Sequence, residues 1–148
     1  MVPSFETGDY VLTDKISYRF GKPDRGDVVV FHAPPSANCP VGTGCDFIKR
    51  VIALPGETVE IKDNQFLVNS EPLSESYIPS NFSTNPGDYM RNRSVTLGPQ
   101  EYFVVGDNRP YSSDSRAWGP IDRSLIVGKA FFRYWPPESM GAIRSAEY

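Results

Sequence analysis

A lysine stands inside an apolar run that has the length and composition of a β-strand. The run is Phe47–Leu54, and a Pro-Gly step closes it. Because successive side chains of a strand point to opposite faces, Lys49 shares a face with Phe47 and Val51, whereas Arg50 points the other way. Burial among apolar side chains disfavours the charged form of a lysine. Lys49 is therefore a candidate general base, and the alternative is a lysine at a sheet margin whose amine reaches solvent.

A second segment, Gly106–Gly119, concentrates hydrogen-bonding groups directly after an apolar strand candidate. Its Asp-x-Arg step favours an ion pair between Asp114 and Arg116 that fixes the shape of the loop. A serine of that loop, Ser112 or Ser115, would then be placed to hold a neutral amine. An ordinary polar surface loop is the alternative.

The composition describes a mainly β domain of ordinary size. The chain has 148 residues, of which 14 are proline and 12 glycine, and short apolar runs between turn residues dominate. The net charge of -3 gives no basic surface for nucleic acid. No apolar run reaches the ~18 residues of a membrane span, so we expect the chain as printed to be soluble, although it can be part of a longer protein.

Seven runs have strand length and are bounded by turn residues. They are Tyr10–Asp14, Asp27–His32, Phe47–Leu54, Thr58–Lys62, Gln65–Val68, Glu101–Val105 and Leu125–Tyr134. Asp63-Asn64 predicts a tight hairpin turn. The Ser-, Asn- and Pro-rich segment 69–93 predicts an irregular excursion. We therefore expect one domain, 1–148, with a small inserted subdomain at about 63–100.

The two cysteines and the one histidine do not suggest a metal site. Cys39 and Cys45 lie in a loop by composition, and these three side chains are too few for a four-ligand site, so no metal or cofactor is expected. In an oxidising compartment the cysteines would form a local disulfide, and two free thiols are the alternative. His32 is expected to be structural or to face solvent.

Several segments, taken in order, resemble the bacterial type I signal peptidases, the membrane-bound serine proteases that remove signal peptides. Met1–Asp9 resembles their nucleophile motif, Arg25–Phe31 a following strand, Phe47–Glu57 the lysine motif, and Gly106–Gly119 the motif Gly-Asp-Asn-Arg…Ser-x-Asp-Ser-Arg-x-Trp-Gly. The matches extend from Met1 to about Lys129. The resemblance implies a mostly β fold of antiparallel sheets, like that of signal peptidases and LexA.

The resemblance also implies roles for single residues. Lys49 would be the general base of a Ser-Lys dyad, and Ser112 would orient its amine. The side chains that would support this loop are Asp107, Asn108, Asp114 and Arg116. A signal peptide with small P1 and P3 residues would lie as an extended strand against Met1, Phe5, Val11, Val30, Asp46, Phe47 and Ile48.

One departure from the family concerns the nucleophile. In the family the serine stands immediately before the methionine that aligns with Met1, behind a transmembrane anchor. The sequence as printed starts one residue later, so the resemblance predicts an inactive catalytic domain without its nucleophile. Ser4 matches a different position of the motif and is not expected to replace it. The expected partners are signal peptides of exported preproteins and the membrane surface, with the domain on the extracytoplasmic side.

Two other functions are compatible with parts of the sequence. A non-catalytic relative that binds signal peptides or a partner would explain the missing serine, but it would have little reason to keep Lys49, Ser112, Asp114 and Arg116. A self-cleaving regulator of the LexA type would need a DNA-binding helical domain and an internal cleavage loop, and neither is seen.

Overall fold

Antiparallel β-sheet dominates the computed structural model, which describes residues 1–37, 39 and 44–148. Strands form at β1 (Tyr10–Asp14), β2 (Val28–His32), β3 (Asp46–Ala53), β4 (Thr58–Lys62), β5 (Gln65–Val68), β6 (Glu71–Pro72), β7 (Val95–Thr96), β8 (Glu101–Val105), β9 (Ile121–Asp122), β10 (Ile126–Trp135) and β11 (Gly141–Ala142). Short helical turns lie at α1 (Ser17–Phe20) and α2 (Ser115–Trp118), with 3-10 turns at Arg109–Tyr111, Arg123–Leu125 and Pro137–Ser139. The predicted mostly β class is confirmed.

Two sheets are present among the described residues. The larger has the order β1-β10-β2-β3-β8-β9, with β11 added to β10, and the smaller has the order β6-β5-β4-β7. All seven predicted strands form, and no strand end differs from its prediction by more than one residue. The predicted hairpin turn is also confirmed, because Asp63 and Asn64 both adopt positive φ, at 52° and 62°, between β4 and β5.

The two sheets share a hydrophobic core. Ile52 and Phe103 of the larger sheet pack with Val59 and Phe66 of the smaller one, and all four are fully buried. The Phe66 and Phe103 rings meet edge to face with centroids 6.1 Å apart. Burying side chains of this size contributes about 2 kcal/mol each, so the smaller sheet is anchored by its apolar face.

The loop before β3 and the segment after β10 complete the described fold. Cys39 and Cys45 form the expected disulfide. Of the loop predicted over residues 38–45, residues 38 and 40–43 lie outside the described residues. At the other end of the chain, Ala146 lies directly over Gly26, where a side chain would meet its backbone at 2.2 Å. No helix in the described ranges is long and apolar enough to cross a membrane.

Candidate active site

Lys49 lies on β3 at the point where the neighbouring strand β8 ends. On one side β2 pairs with β3 along its length from Asp46 to Arg50. On the other side β8 pairs only from Arg50 onward, starting with Val105. Within the described residues, the edge of β3 from Asp46 to Lys49 therefore has no strand beside it. Backbone groups on that edge are open to an added strand.

The residue that follows β8 brings Lys49 and Ser112 together. A Cβ built on Gly106 would lie 2.1 Å from the Ser112 Oγ and 3.4 Å from the Lys49 Nζ, so both groups pack against this glycine and are only a few ångströms apart. The Ser112 Oγ is buried and has no hydrogen-bond partner among the described residues. The structure therefore places the serine beside the amine without a hydrogen bond between them.

Ser115, the other serine considered for this role, is engaged elsewhere. Its Oγ accepts a hydrogen bond from the Val104 backbone N–H at 3.0 Å, and its side chain is fully buried. This bond joins α2 to β8 instead of reaching Lys49. The structure thus separates the two candidates that the loop composition left open.

The environment of Lys49 favours the neutral amine. The Lys49 Nζ lies 5.8 Å from the Phe47 ring centroid, on the face that strand periodicity predicted. Burial lowers the pKa of Lys49 below its ordinary value, and the charge of Arg116 lowers it further, while the carboxylates of Asp114 and Asp107 oppose the shift. The net direction is downward because desolvation is the largest effect.

An ion pair fixes the loop that follows Gly106. The Arg116 guanidinium donates to both carboxylate oxygens of Asp114, each at 2.8 Å, and both side chains are buried. Asp114 also caps α2 by accepting from the Arg116 backbone N–H, and it accepts from the Gly106 N–H at 3.1 Å. The predicted pairing of Asp114 with Arg116 is confirmed.

A second buried ion pair, which the sequence did not predict, lies on the other face of β3. Arg50 donates to both oxygens of Asp107, at 3.0 and 2.8 Å, and to the Gly26 carbonyl at 2.9 Å. The Ser4 hydroxyl donates to the same carboxylate. Strand alternation placed Arg50 on the face opposite Lys49, but only the structure shows that Arg50 is buried there, where a guanidinium requires an acidic partner.

The first residues of the chain reach the same place. The Asp107 backbone N–H donates to the Met1 Sδ at 3.4 Å, so Met1 lies against the Gly106 loop. Burial and the nearby charge of Lys49 both lower the pKa of the Met1 amine. The Met1 amine and Lys49 are thus close enough for their charges to interact. Asn108, which was predicted to support the loop, has a buried Oδ1 with no partner among the described residues.

Most of the predicted substrate-contacting residues lie in one apolar cluster. Its members around the buried Phe5, Val28 and Ala130 include Met1, Val11, Val30 and Ile48. Phe47 lies on the opposite face of β3 and contacts Phe31, with ring centroids 6.0 Å apart. Asp46 is exposed and pairs with the exposed His32 at 2.7 Å, which agrees with the solvent-facing position expected for this histidine.

The sequence matches a known protein family over most of its length. The family model described as signal peptidase, peptidase S26, matches residues 1–135. The chain belongs to the signal peptidase family. It is 41% identical over 150 residues to a signal peptidase I of Leptolyngbya laminosa, covering 97% of this chain and 68% of that protein. It is 39% identical over 146 residues to a probable signal peptidase I-1 of Synechocystis, covering 98% of this chain and 71% of that protein.

A solved signal peptidase structure shares the fold. The crystal structure of a signal peptidase I from Enterococcus faecalis V583 superposes with a TM-score of 0.57 at 33% sequence identity. The match covers 74% of this chain and 97% of that one. The antiparallel fold inferred from the sequence is therefore that of a signal peptidase, and the family resemblance is confirmed.

Proposed function

We propose that this signal peptidase family hydrolase cuts exported preproteins after small residues by a Ser-Lys dyad in which Lys49 is the general base. The family membership supports the removal of signal peptides. The observation that carries the dyad is the amine of Lys49, which is partly buried at the end of a β3 edge that no described strand pairs with and is packed beside Ser112 on Gly106. In this proposal Ser112 orients the amine, and the pairs of Asp114 with Arg116 and Asp107 with Arg50 hold the surrounding backbone.

The chemistry follows from a neutral amine beside a hydroxyl. A serine joined to the amino side of Met1 would attack the scissile carbonyl carbon while Lys49 takes the hydroxyl proton. The C–N bond then breaks, and the protonated Lys49 gives its proton to the leaving amine. Water, deprotonated by Lys49 in turn, hydrolyses the resulting ester and regenerates the serine.

The edge of β3 that has no strand partner among the described residues is the proposed binding site of the signal peptide. A peptide that pairs with Asp46–Ile48 would continue the line of β8 and bring its scissile bond to Lys49, where β8 ends. The side chains of Met1, Val30 and Ile48 would form an apolar wall against it. Such a wall selects small P1 and P3 residues by steric exclusion alone.

Cleavage by this chain with a serine joined ahead of Met1 is expected to rise with pH. Only neutral Lys49 accepts the proton, and its lowered pKa moves the rise below the ~10.4 of a free lysine. The measurement is kcat/KM on an Ala-x-Ala precursor in detergent from about pH 6 to 9, with the chain as printed as the control. A flat profile, with chemistry shown to limit the rate, would contradict the role of Lys49, and a folded serine-bearing chain that binds the precursor without cutting it would indicate a binding protein.

An exposed aromatic surface supports the proposed location at a membrane. Tyr10 pairs with Trp135 at one end of the β1-β10 ribbon, and Tyr10, Tyr134 and Trp135 line an open pocket of about 390 Å³. Each of these side chains is at least two-fifths exposed. Tyrosine and tryptophan favour the membrane–water interface. We place this aromatic surface on the membrane, and the Cys39–Cys45 disulfide favours the oxidising, extracytoplasmic side.

Replacing Tyr134 and Trp135 together by serine is expected to weaken binding to phospholipid vesicles by about tenfold or more, because both rings lose their burial at the interface. Vesicle sedimentation measures the effect. Phe20→Ser is the matched control, since this ring is 87% exposed on α1, beyond the opposite end of β1. If the double variant binds vesicles as strongly as the parent chain, the aromatic surface is not the membrane contact.

A further inference from the structure

Gly106 is held from both sides of its backbone. Its N–H donates to Asp114 at 3.1 Å, and its carbonyl accepts from the Arg109 Nε at 3.2 Å. Because Lys49 and Ser112 both pack against this glycine, its position sets the space that they share. Asp114 and Arg109 both belong to the segment Gly106–Gly119, and the hydrogen bond to the carbonyl depends on Arg109.

Arg109 is itself fixed by the excursion that follows β6. Its side chain is fully buried, and Nη1 donates to the Glu75 Oε2 at 2.8 Å and to the Thr84 Oγ1 at 2.9 Å. Its Nη2 donates to the other oxygen of Glu75, so the carboxylate grips the guanidinium with both oxygens. The Tyr77 hydroxyl donates to Glu75 at 2.7 Å and completes the cluster.

We propose that Glu75 is a positioning residue of the active site: by clamping Arg109 it fixes the carbonyl of Gly106 and keeps the amine of Lys49 enclosed. The catalytic consequence rests on the proposed function, but the enclosure of Lys49 does not. The segment 69–93, predicted from composition as an irregular excursion, thus contacts the site through the buried ion pair between Glu75 and Arg109.

Loss of the ion pair between Glu75 and Arg109 should raise the pKa of Lys49 through solvation and not through charge. Without the Glu75 carboxylate, the Arg109 guanidinium turns toward water, and the Gly106 carbonyl loses its hydrogen-bond donor. Water then enters beside Lys49. Besides burial, the charges of Asp114, Arg116 and Asp107 have the largest effects on the pKa of Lys49. Losing the negative charge of Glu75 would by itself lower that pKa, because a carboxylate favours the charged form of a lysine. A raised pKa of Lys49 in a Glu75 variant therefore reports greater access of water to the amine.

The test is an NMR titration of the lysine side-chain amines in the chain as printed, with Lys49 assigned by its loss in Lys49→Met. Glu75→Gln and Arg109→Lys are compared with the parent chain, and Asp88→Asn is the control, because it breaks an exposed ion pair of the same excursion. We expect the pKa of Lys49 to rise toward its ordinary value in the first two variants and to stay unchanged in the control. The double variant should shift it no further than the larger single change, since both break one clamp.

An unchanged pKa of Lys49 in folded Glu75→Gln would overturn the proposal. Removing a charge from a buried pair can prevent folding, so Glu75→Asp provides a second variant that keeps the charge and shortens its reach. A Lys49 pKa equal to that of the parent chain in folded Glu75→Asp and Arg109→Lys would overturn it equally, and a rise in either would support it.

The activity measurement separates this proposal from the proposed function. In the chain with a serine ahead of Met1, Glu75→Gln is expected to lower kcat by about tenfold or more with little change in KM, and to move the rise of activity to higher pH. If the serine-bearing parent itself fails to cut, the proposed function fails, while the titration still decides the role of Glu75.

Discussion

Replacing Lys49 by alanine, in the chain with a serine joined ahead of Met1, is expected to lower kcat/KM on an Ala-x-Ala precursor by at least about a thousandfold. The hydroxyl would lose the group that takes its proton, which is the amine that packs on Gly106 beside Ser112. Lys62→Ala is the control, because Lys62 is exposed on β4 and belongs to the smaller sheet. The measurement is precursor cleavage in detergent at alkaline pH.

Lys49→Arg separates the loss of the base from the loss of packing. An arginine keeps a long cationic side chain at this position but stays protonated at every working pH, so it cannot accept a proton. We therefore expect the arginine variant to be as inactive as the alanine variant. More than about a tenth of the parent activity in either folded variant would show that the hydroxyl is activated by another group.

Arg50→Met is expected to lower the free energy of unfolding by about 3–5 kcal/mol, the usual cost of leaving a buried charge without its partner. The Arg50 and Asp107 side chains are 5% and 0% exposed, so water cannot replace the lost guanidinium at the carboxylate. The corresponding fall in melting temperature is about 10 °C for a domain of this size. Thermal and urea unfolding measure both values.

Two further variants test whether loss of the buried ion pair causes the lower stability expected of Arg50→Met. Arg91→Gln removes an ion pair whose side chains are 67% and 87% exposed, and it should cost no more than about 1 kcal/mol. Adding Asp107→Leu to Arg50→Met removes the unpaired carboxylate and should recover part of the loss. A loss in Arg50→Met no larger than that in Arg91→Gln would show that the Asp107 carboxylate is satisfied without Arg50.

Local patterns in the sequence were sufficient to predict the strands and the face of β3 on which Lys49 lies. Strand periodicity depends only on neighbouring residues, so the alternation around Lys49 could be read without knowing the fold. The Asp63-Asn64 turn and the pairing of Asp114 with Arg116 are also short-range features. The order of four motifs along the chain identified the family, because such a match is a property of the sequence itself.

The contacts that build the candidate site depend on strand register and on packing between distant segments. The composition of the loop left both Ser112 and Ser115 open, and the family resemblance favoured Ser112. The end of β8 at Gly106 is what places Ser112 beside Lys49 in the structure. The partner of Arg50 could not be predicted from the sequence, because Asp107 lies 57 residues away. For the same reason the ion pair of Glu75 with Arg109, which are 34 residues apart, was not predicted.

The sequence by itself determined the mostly β class, the position of the principal strands and the family, since each is encoded in residues that are close together or in a fixed order. The tertiary structure alone decided that no strand among the described residues pairs with one edge of β3, that Phe47 lies apart from the other apolar residues of the predicted substrate contact, and that segment 69–93 contacts Arg109 beside the site. These features depend on contacts between segments that are distant in the sequence, and no local pattern of residue types specifies such contacts.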